Sequence, residues 1–372
     1  MKIKAIIPVI ALLLVPAAAL SAGAASKANK GSEKSEYVTP VIRYELSGGA
    51  GHYNYAPSFI QDKYGIIYGY MCQNRDPFKI VDYVYLYKGI PTSEGMKWQP
   101  GTEVIEPSRT GWDDCHICDP DVRHYTVRDK DGKEHKWIMT YLGVDQWDCN
   151  HNQIGLAVAD NIEGPWTKYQ DVNPLIPYPR FDRWGTGQST SVILEDGRIA
   201  IFYHSSPVGD DNNPAYMGQA FRIMDISDLN HPDIGTEMRM GLPNGNTYVA
   251  FSPKRIYAVC ERKSPEQDKE IPTWVGDNCI VYYKERTGDL IADLTGPFES
   301  WTEVGRVTPA ISGFPRNHNP GFLTDEKGWI PDENNLVVYY TNAVTGDDWL
   351  WSYDMYSARF PIADFLKAHF KN

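Results

Sequence analysis

Positive charge is scarce in this chain: 36 Lys and Arg stand against 48 Asp and Glu, giving a net charge of −12 over 372 residues. A nucleic-acid surface draws its affinity from cations that neutralise phosphates, so that class of partner is excluded. There is no P-loop, no dinucleotide fingerprint, no Ser-His-Asp signature and no His-Glu-x-x-His motif, which removes the chemistries those motifs serve. No Asp-rich calcium loop occurs either. Long amphipathic helices are missing, apart from a final turn or two at Ile362 to Phe370, and this excludes a coiled coil. A hydrophobic share of 42% excludes a wholly disordered chain. What is plentiful is aromatic: 11 Trp, 24 Tyr and 12 Phe.

The first residues set the compartment. Lys2 and Lys4 precede an apolar run from Ala5 to Leu20, and small residues follow at Ser21–Ala25. That order predicts a secretory signal over residues 1–24, cleaved near Ala22 or Ala24, followed by a polar linker over 25–36. A run this short, broken by Pro8 and Pro16, does not suit a membrane span, so an exported protein without an anchor is expected. Six cysteines (Cys72, Cys115, Cys118, Cys149, Cys260, Cys279) are then free to form disulfides. Cys260 and Cys279 flank an expected hairpin, and we expect them to pair. Cys115-His116-Ile117-Cys118 lacks a second ligand pair at zinc-finger spacing, so no metal is expected there.

Short β-type runs dominate the rest, among them Ile66–Tyr70, Tyr83–Tyr87, Trp137–Tyr141, Ile199–Tyr203, Cys279–Tyr283 and Leu336–Tyr340. Each is rich in β-branched and aromatic residues and bounded by turn formers. They recur in one order. A small-polar or proline step (Tyr55-Ala56-Pro57, Cys118-Asp119-Pro120, Ser189-Thr190-Ser191, Asn319-Pro320) leads a strand into a turn. The turns are Asp62–Gly65, Asp129–Gly132, Glu195–Gly197 and Asp325–Gly328, each followed by an aromatic strand. A looser copy starts at Asn246-Thr247-Tyr248. Copies of roughly 60 to 70 residues, each about four strands, predict an all-β, five-bladed β-propeller over residues 37–372 with a central substrate pocket. Residues from Tyr37 to Leu46 would close the ring as an outer strand of the last blade.

The stretch from Asp119-Pro120-Asp121-Val122 through Ile154-Gly155-Leu156-Ala157 to Gly164-Pro165-Trp166 resembles glycoside hydrolase family 43 and its relatives, the β-xylosidases, α-L-arabinofuranosidases and arabinanases. Gly185-Thr186-Gly187-Gln188 with Phe202-Tyr203-His204 is similar to a second element of such proteins. The resemblance implies an inverting mechanism with an Asp base, an Asp that tunes the acid, and a Glu general acid. Asp119 stands at the second-blade Asp position. The base position reads Ala56 and the acid position Gln188 or Ser189, so two of the three carboxylates are unmatched.

Substitutes must then come from elsewhere around the pocket mouth. Catalytic candidates are Asp119, Asp114, His116, Glu261 and His318; Asp182, Asp210 and Asp211 read more simply as solvated loop carboxylates. Glu261 beside Arg262 also reads as a blade-edge ion pair. Tyr55, Trp112, Trp184, Gln188, Arg316 and Asn319 are the candidate sugar contacts, with Trp147 and Trp274 as further loop platforms. Gln188 would contact sugar or water, because an amide exchanges no proton near neutral pH. The expected function is hydrolysis of a plant or algal oligosaccharide by a monomer. No cofactor is required, and a central Ca²⁺ or Na⁺ is possible, as in relatives. The alternative is a carbohydrate-binding propeller without catalysis. A protein-binding propeller would show an exposed apolar top face.

Overall fold

The computed structural model describes residues 38–147, 150–177, 184–205, 218–242, 246–264, 276–346 and 348–362. Residues 1–37, which hold the expected signal and linker, lie outside these, as do Cys149, Asp182, Asp210, Asp211, Trp274 and nearly all of the expected terminal helix.

The strands form antiparallel meanders. The first runs through Asn54–Gln61, Ile67–Asn74 and Asp82–Thr92, with Gly95–Trp98 and Thr102–Ile105 on its outer edge. The second is His116–Arg128, Glu134–Val144, Gln153–Ala159 and Thr167–Lys168. The third is Thr186–Ile193, Ile199–Ser205, Gly218–Met224 and Met238–Arg239. The fourth is Thr247–Phe251, Arg255–Arg262, Asn278–Glu285 and Thr302–Val307. The last is Arg316–Thr324, Leu336–Ala343 and Asp354–Phe360, and its outer edge is Val38–Ile42. The opening strands pack side by side in chain order, and the last packs against the first. There Leu323 and Thr324 pair in parallel with Phe59 and Ile60.

The core lies between successive sheets. Ile60, Tyr70 and Leu86 of the first meander meet Val122, Met139 and Tyr141 of the second. Phe202 and Phe221 of the third meet Phe251 and Ile256 of the fourth. Tyr339 and Met355 of the last meet Phe59 and Met71 of the first, so each sheet is covered on both faces. That explains the near-continuous apolar runs in the sequence, where a one-sided sheet would alternate apolar and polar residues. The Tyr and Phe rings are the filling, and Phe59 stacks on Tyr339 with centroids 3.7 Å apart.

Three of the four expected turns form by one mechanism. One carboxylate oxygen each of Asp62, Asp129 and Asp325 accepts the backbone N–H two and four residues ahead, at 2.8–2.9 Å. Gly65, Gly132 and Gly328 supply the left-handed residue that completes each turn. At Gly328 a Cβ would stand 2.4 Å from the Ser191 carbonyl oxygen and 2.9 Å from Arg123 Nε. Two short helices, Leu290–Thr295 and Pro309–Ser312, were not legible as such in the sequence.

Arg123 is fully buried where the opening strands converge. It pairs with Asp121 at 2.7 Å, and donates to the Ser191 carbonyl at 2.6 Å and the Tyr248 hydroxyl at 2.8 Å. Ser191 donates to Asp121 at 2.5 Å, while Ser58 reaches it at 3.4 Å. One ion pair therefore holds the first four meanders. Arg123→Met leaves a buried carboxylate without its cation and should cost about 3–5 kcal/mol. The double variant Asp121→Asn/Arg123→Met should recover most of that loss. Urea titration of the three proteins at constant m-value checks this.

Candidate active site

Four of the five opening strands are interrupted near their start. Their register breaks between Tyr55 and Ser58, Cys118 and Asp121, Gly187 and Thr190, and His318 and Gly321. At each break one non-glycine residue is left-handed: Ala56 (φ 53°), Asp119 (45°), Gln188 (55°) and Asn319 (44°). Such backbone costs roughly 1–3 kcal/mol per residue and persists where the surroundings enforce it. Pro57, Pro120 and Pro320 follow, at bulge positions where a missing ladder N–H is tolerated. The repeated small-polar or proline step is thus a β-bulge that turns one side chain per strand toward the axis. With Ser189, Thr190, Asn246, Thr247 and Tyr248 these residues line an open cavity.

Asp119 is the carboxylate among those lining residues, and only 9% of it is exposed. Burial raises its pKa to about 7; the Asp82 charge adds to the rise, and a backbone hydrogen bond from Gln188 opposes it. The source of the desolvation is an apolar wall. A Cys72–Cys118 disulfide packs with Ala56 and Leu142, with Tyr55 and Trp184 against them, and the Asp119 N–H donates to Cys72 Sγ at 3.0 Å. Asp82, buried at the head of the third strand, accepts from the Tyr53 hydroxyl at 2.7 Å and the Tyr55 hydroxyl at 2.9 Å. His116 Nδ1 lies 3.3 Å from its carboxylate and 3.2 Å from its backbone N–H.

A second cluster stands on the fourth and last meanders. Glu261 is buried against His318, with Nδ1 2.7 Å from Oε2. Its oxygens also take the N–H of Gly276, the N–H of Asn319 at 3.2 Å and Asn246 Nδ2 at 2.9 Å. Burial pushes the Glu261 pKa up, but His318 and these hydrogen bonds outweigh it and hold the carboxyl below its ordinary value. Asn246 also donates to Asn319 Oδ1, so Glu261 fixes two cavity residues at once. Tyr55 lies near-parallel to His318, 6.5 Å between centroids, and links this cluster to the one at Asp82.

The sequence-predicted residues divide accordingly. Asp119, Gln188 and Asn319 line the cavity, while Tyr55, His116, Glu261 and His318 stand behind it. Glu261 is a buried partner of His318, which corrects the reading of a blade-edge pair with Arg262. Asp114 is half-buried on the turn beside Cys115 and is not a lining residue. Trp112 stacks on Tyr141 at 5.8 Å and presses on Gly143 and Gly155, which makes it a core residue away from the cavity. Trp184 sits edge-on to His204 at 5.1 Å. Arg316 is buried under Trp349, 4.4 Å from its ring, and donates to the Tyr353 hydroxyl at 3.3 Å.

The expected Cys260–Cys279 bridge does not form. Cys260 lies opposite Ile280 and Cys279 opposite Glu261, so the two thiols point to opposite faces of the sheet and enter different cores. Cys118, from the Cys-x-x-Cys, is in the disulfide instead, and Cys115 is a buried free thiol. Among the described residues the one grouping with metal-ligand spacing is Cys72, Cys118 and Asp119. With both sulfurs in the disulfide it offers a single carboxylate, which does not fit the six to eight oxygens of a calcium ion.

Sequence reasoning missed Asp82 and Tyr53, and named His204 only within the resembled Phe202-Tyr203-His204 element. Asp82 was signalled only by a charge opening an otherwise aromatic strand. His204 is buried, and its pKa is lowered to about 4 by burial and by Arg239.

Solved structures that resemble this chain in fold include glycoside hydrolases. A family 117 glycoside hydrolase from the marine bacterium Zobellia galactanivorans is 13% identical, covering 87% of this chain and 89% of that one, with a TM-score of 0.55. The endo-arabinase of Bacteroides thetaiotaomicron gives 11% identity, 87% and 97% coverage, and 0.53. A family 43 enzyme from Xanthomonas citri in complex with xylose gives 15%, 87% and 89%, and 0.51. The chain shares their propeller fold. No family model matches it. A formyl-CoA:oxalate CoA-transferase from Rhodopseudomonas palustris is 20% identical over 73% of this chain, which spans 64% of that relative's length. At that identity no activity carries over. Among the described residues, moreover, the cavity lining has no Lys or Arg to meet a coenzyme's phosphates.

The raised Asp119 pKa has a stability signature. The folded protein holds this proton from about pH 4 up to about pH 7 while the unfolded chain has lost it, so stability falls with rising pH through that window. Asp119→Asn should therefore raise the melting temperature at pH 8, by up to on the order of 4 kcal/mol of stability, and leave it unchanged near pH 3. Calorimetry at the two pH values tests this.

Proposed function

We propose that this protein is an exported, monomeric glycoside hydrolase that cleaves plant or algal oligosaccharides by direct attack of water. Its meanders would be the five blades of a propeller whose axis holds the site. The observation that carries the reading is Asp119: a carboxylate re-aimed by a bulge into the cavity and desolvated enough to stay protonated near neutral pH. Such a group can give its proton to a leaving glycosidic oxygen. The Glu261–His318 pair, buried behind the cavity, would fix Asn246 and Asn319 against the substrate, while the attacking water comes from the open side. Gln188, Thr190, Asn246 and Asn319 would bond the sugar hydroxyls. The disulfide is consistent with an oxidising compartment.

Ala56 and Gln188 or Ser189, where the resembled family carries carboxylates, favour a second reading: a binding propeller that holds sugars without cleaving them. A screen of the mature protein on aryl glycosides and plant and algal oligosaccharides separates the two. Under the hydrolase reading one of these is turned over and Asp119→Asn slows it at least 100-fold. The rate should also decline above pH 7 as Asp119 ionises. Binding without turnover throughout would establish the second reading.

A further inference from the structure

The turn between the second and third strands of the first meander is costly to build. Phe78 is left-handed, at φ 60°, and 63% exposed. An aromatic residue in that conformation is a strained outlier. The turn also demands a partner glycine. Phe78 donates its N–H to the Gly51 carbonyl at 2.9 Å, and a Cβ on Gly51 would stand 2.7 Å from the Phe78 ring. A surface turn gains nothing in core burial from this arrangement. Strain of this kind collects where a side chain is displayed for a ligand.

The ring is displayed beside the candidate site. Phe78 packs edge-on against Trp351 at 5.3 Å, and Trp351 leans on Tyr53 at 5.9 Å, whose hydroxyl holds Asp82. From the other side Trp147, 68% exposed, sits edge-on to His116 at 5.3 Å, and His116 meets the same Asp82. Ile80, 56% exposed, precedes Asp82 by two residues. Exposed apolar surface therefore flanks a buried polar network that is continuous with the cavity through Tyr55. Alternating ring faces and hydroxyl-bonding groups match a sugar chain, whose C–H faces are apolar and whose edges are polar.

The charge on this rim narrows the ligand. Lys79 is tied to Asp76 at 2.8 Å, and Arg75 is held by Glu103 and Glu106, so the turn's cations are already neutralised in a chain of net charge −12. A polyanion would find no partner there. We propose that Phe78 and Trp147 form a platform for the distal residues of a neutral oligosaccharide, so that the protein grips a chain and not a single sugar. This rests on the carbohydrate reading of the cavity.

Calorimetric titration of the full protein with xylohexaose, α-1,5-arabinohexaose and neoagarohexaose, beside their monosaccharides, tests it. At least one hexasaccharide should bind ten times or more tighter than its monosaccharide. Phe78→Gly and Trp147→Ala should each weaken that binding about five- to tenfold, with no change for the monosaccharide. Phe78→Gly should also raise the melting temperature, because glycine removes the strain. Equal affinity for hexasaccharide and monosaccharide overturns the platform and leaves the site reading standing, as does unchanged binding in both variants. A lower melting temperature in Phe78→Gly would make the ring a structural element. A change in oligomeric state on light scattering would make the rim a protein interface. No binding and no turnover of any saccharide would overturn both readings.

Discussion

A guanidinium with no exposed surface is the constraint on which the other packing choices turn. Arg123 cannot lose its proton, so everything around it must accept hydrogen bonds or carry negative charge. Asp121 neutralises it, a carbonyl on the third meander and a hydroxyl on the fourth take its N–H groups, and Gly328 on the last must remain glycine to clear it. Apolar contacts between sheets are non-directional and would let them slide. A buried ion pair with fixed donors does not. It sets the rotation of each sheet about the axis, and hence where the bulges one turn above it point their side chains.

The site then follows from a conflict between two local rules. A strand wants its side chains to alternate, which would bury or expose every second residue without regard to the axis. The bulges break that alternation at one step in four strands. Asp119 is placed where water cannot reach it well, beside a disulfide and Leu142, and its chemistry is a product of that placement. Glu261 lies in an equally buried position with the opposite outcome, because His318 and three N–H donors supply what water would have. Two buried carboxylates thus part company in acidity: one is held by a histidine and N–H donors, the other sits against an apolar wall and near a second negative charge.

Much of this was readable in advance, and the part that was not has a physical cause. Turns such as Asp129–Gly132 write their own hydrogen bonds within five residues, and Asp119-Pro120 announces a bulge by pairing a residue tolerant of left-handed backbone with one lacking an N–H. Local signals of that kind survive in a linear sequence. Asp82 became part of the site only because Tyr53, Tyr55 and His116 converge on it from two other strands, and no spacing rule predicts that. The cysteines misled for the same reason. Cys260 and Cys279 are near in sequence, yet the pleat sends them to opposite faces, while Cys72 and Cys118, 46 residues apart, meet at the boundary of two meanders. Trp112 and Trp184 look alike on paper; packing alone makes the first a core residue.

The outer strand of the last meander, Val38–Ile42, lies beside Asp354–Phe360, and this pairing joins opposite ends of the described fold. Every other meander is built from one contiguous stretch and can assemble as soon as that stretch exists. The last one cannot: its edge stays open until the polypeptide has returned to its own beginning. Closure of the ring is therefore a late event with a large loop entropy, and the unpaired edge of Asp354–Phe360 is the surface on which an unfinished molecule would pair with a neighbour. Assembly of this protein is a race between a distant strand of the same chain and a nearby strand of another.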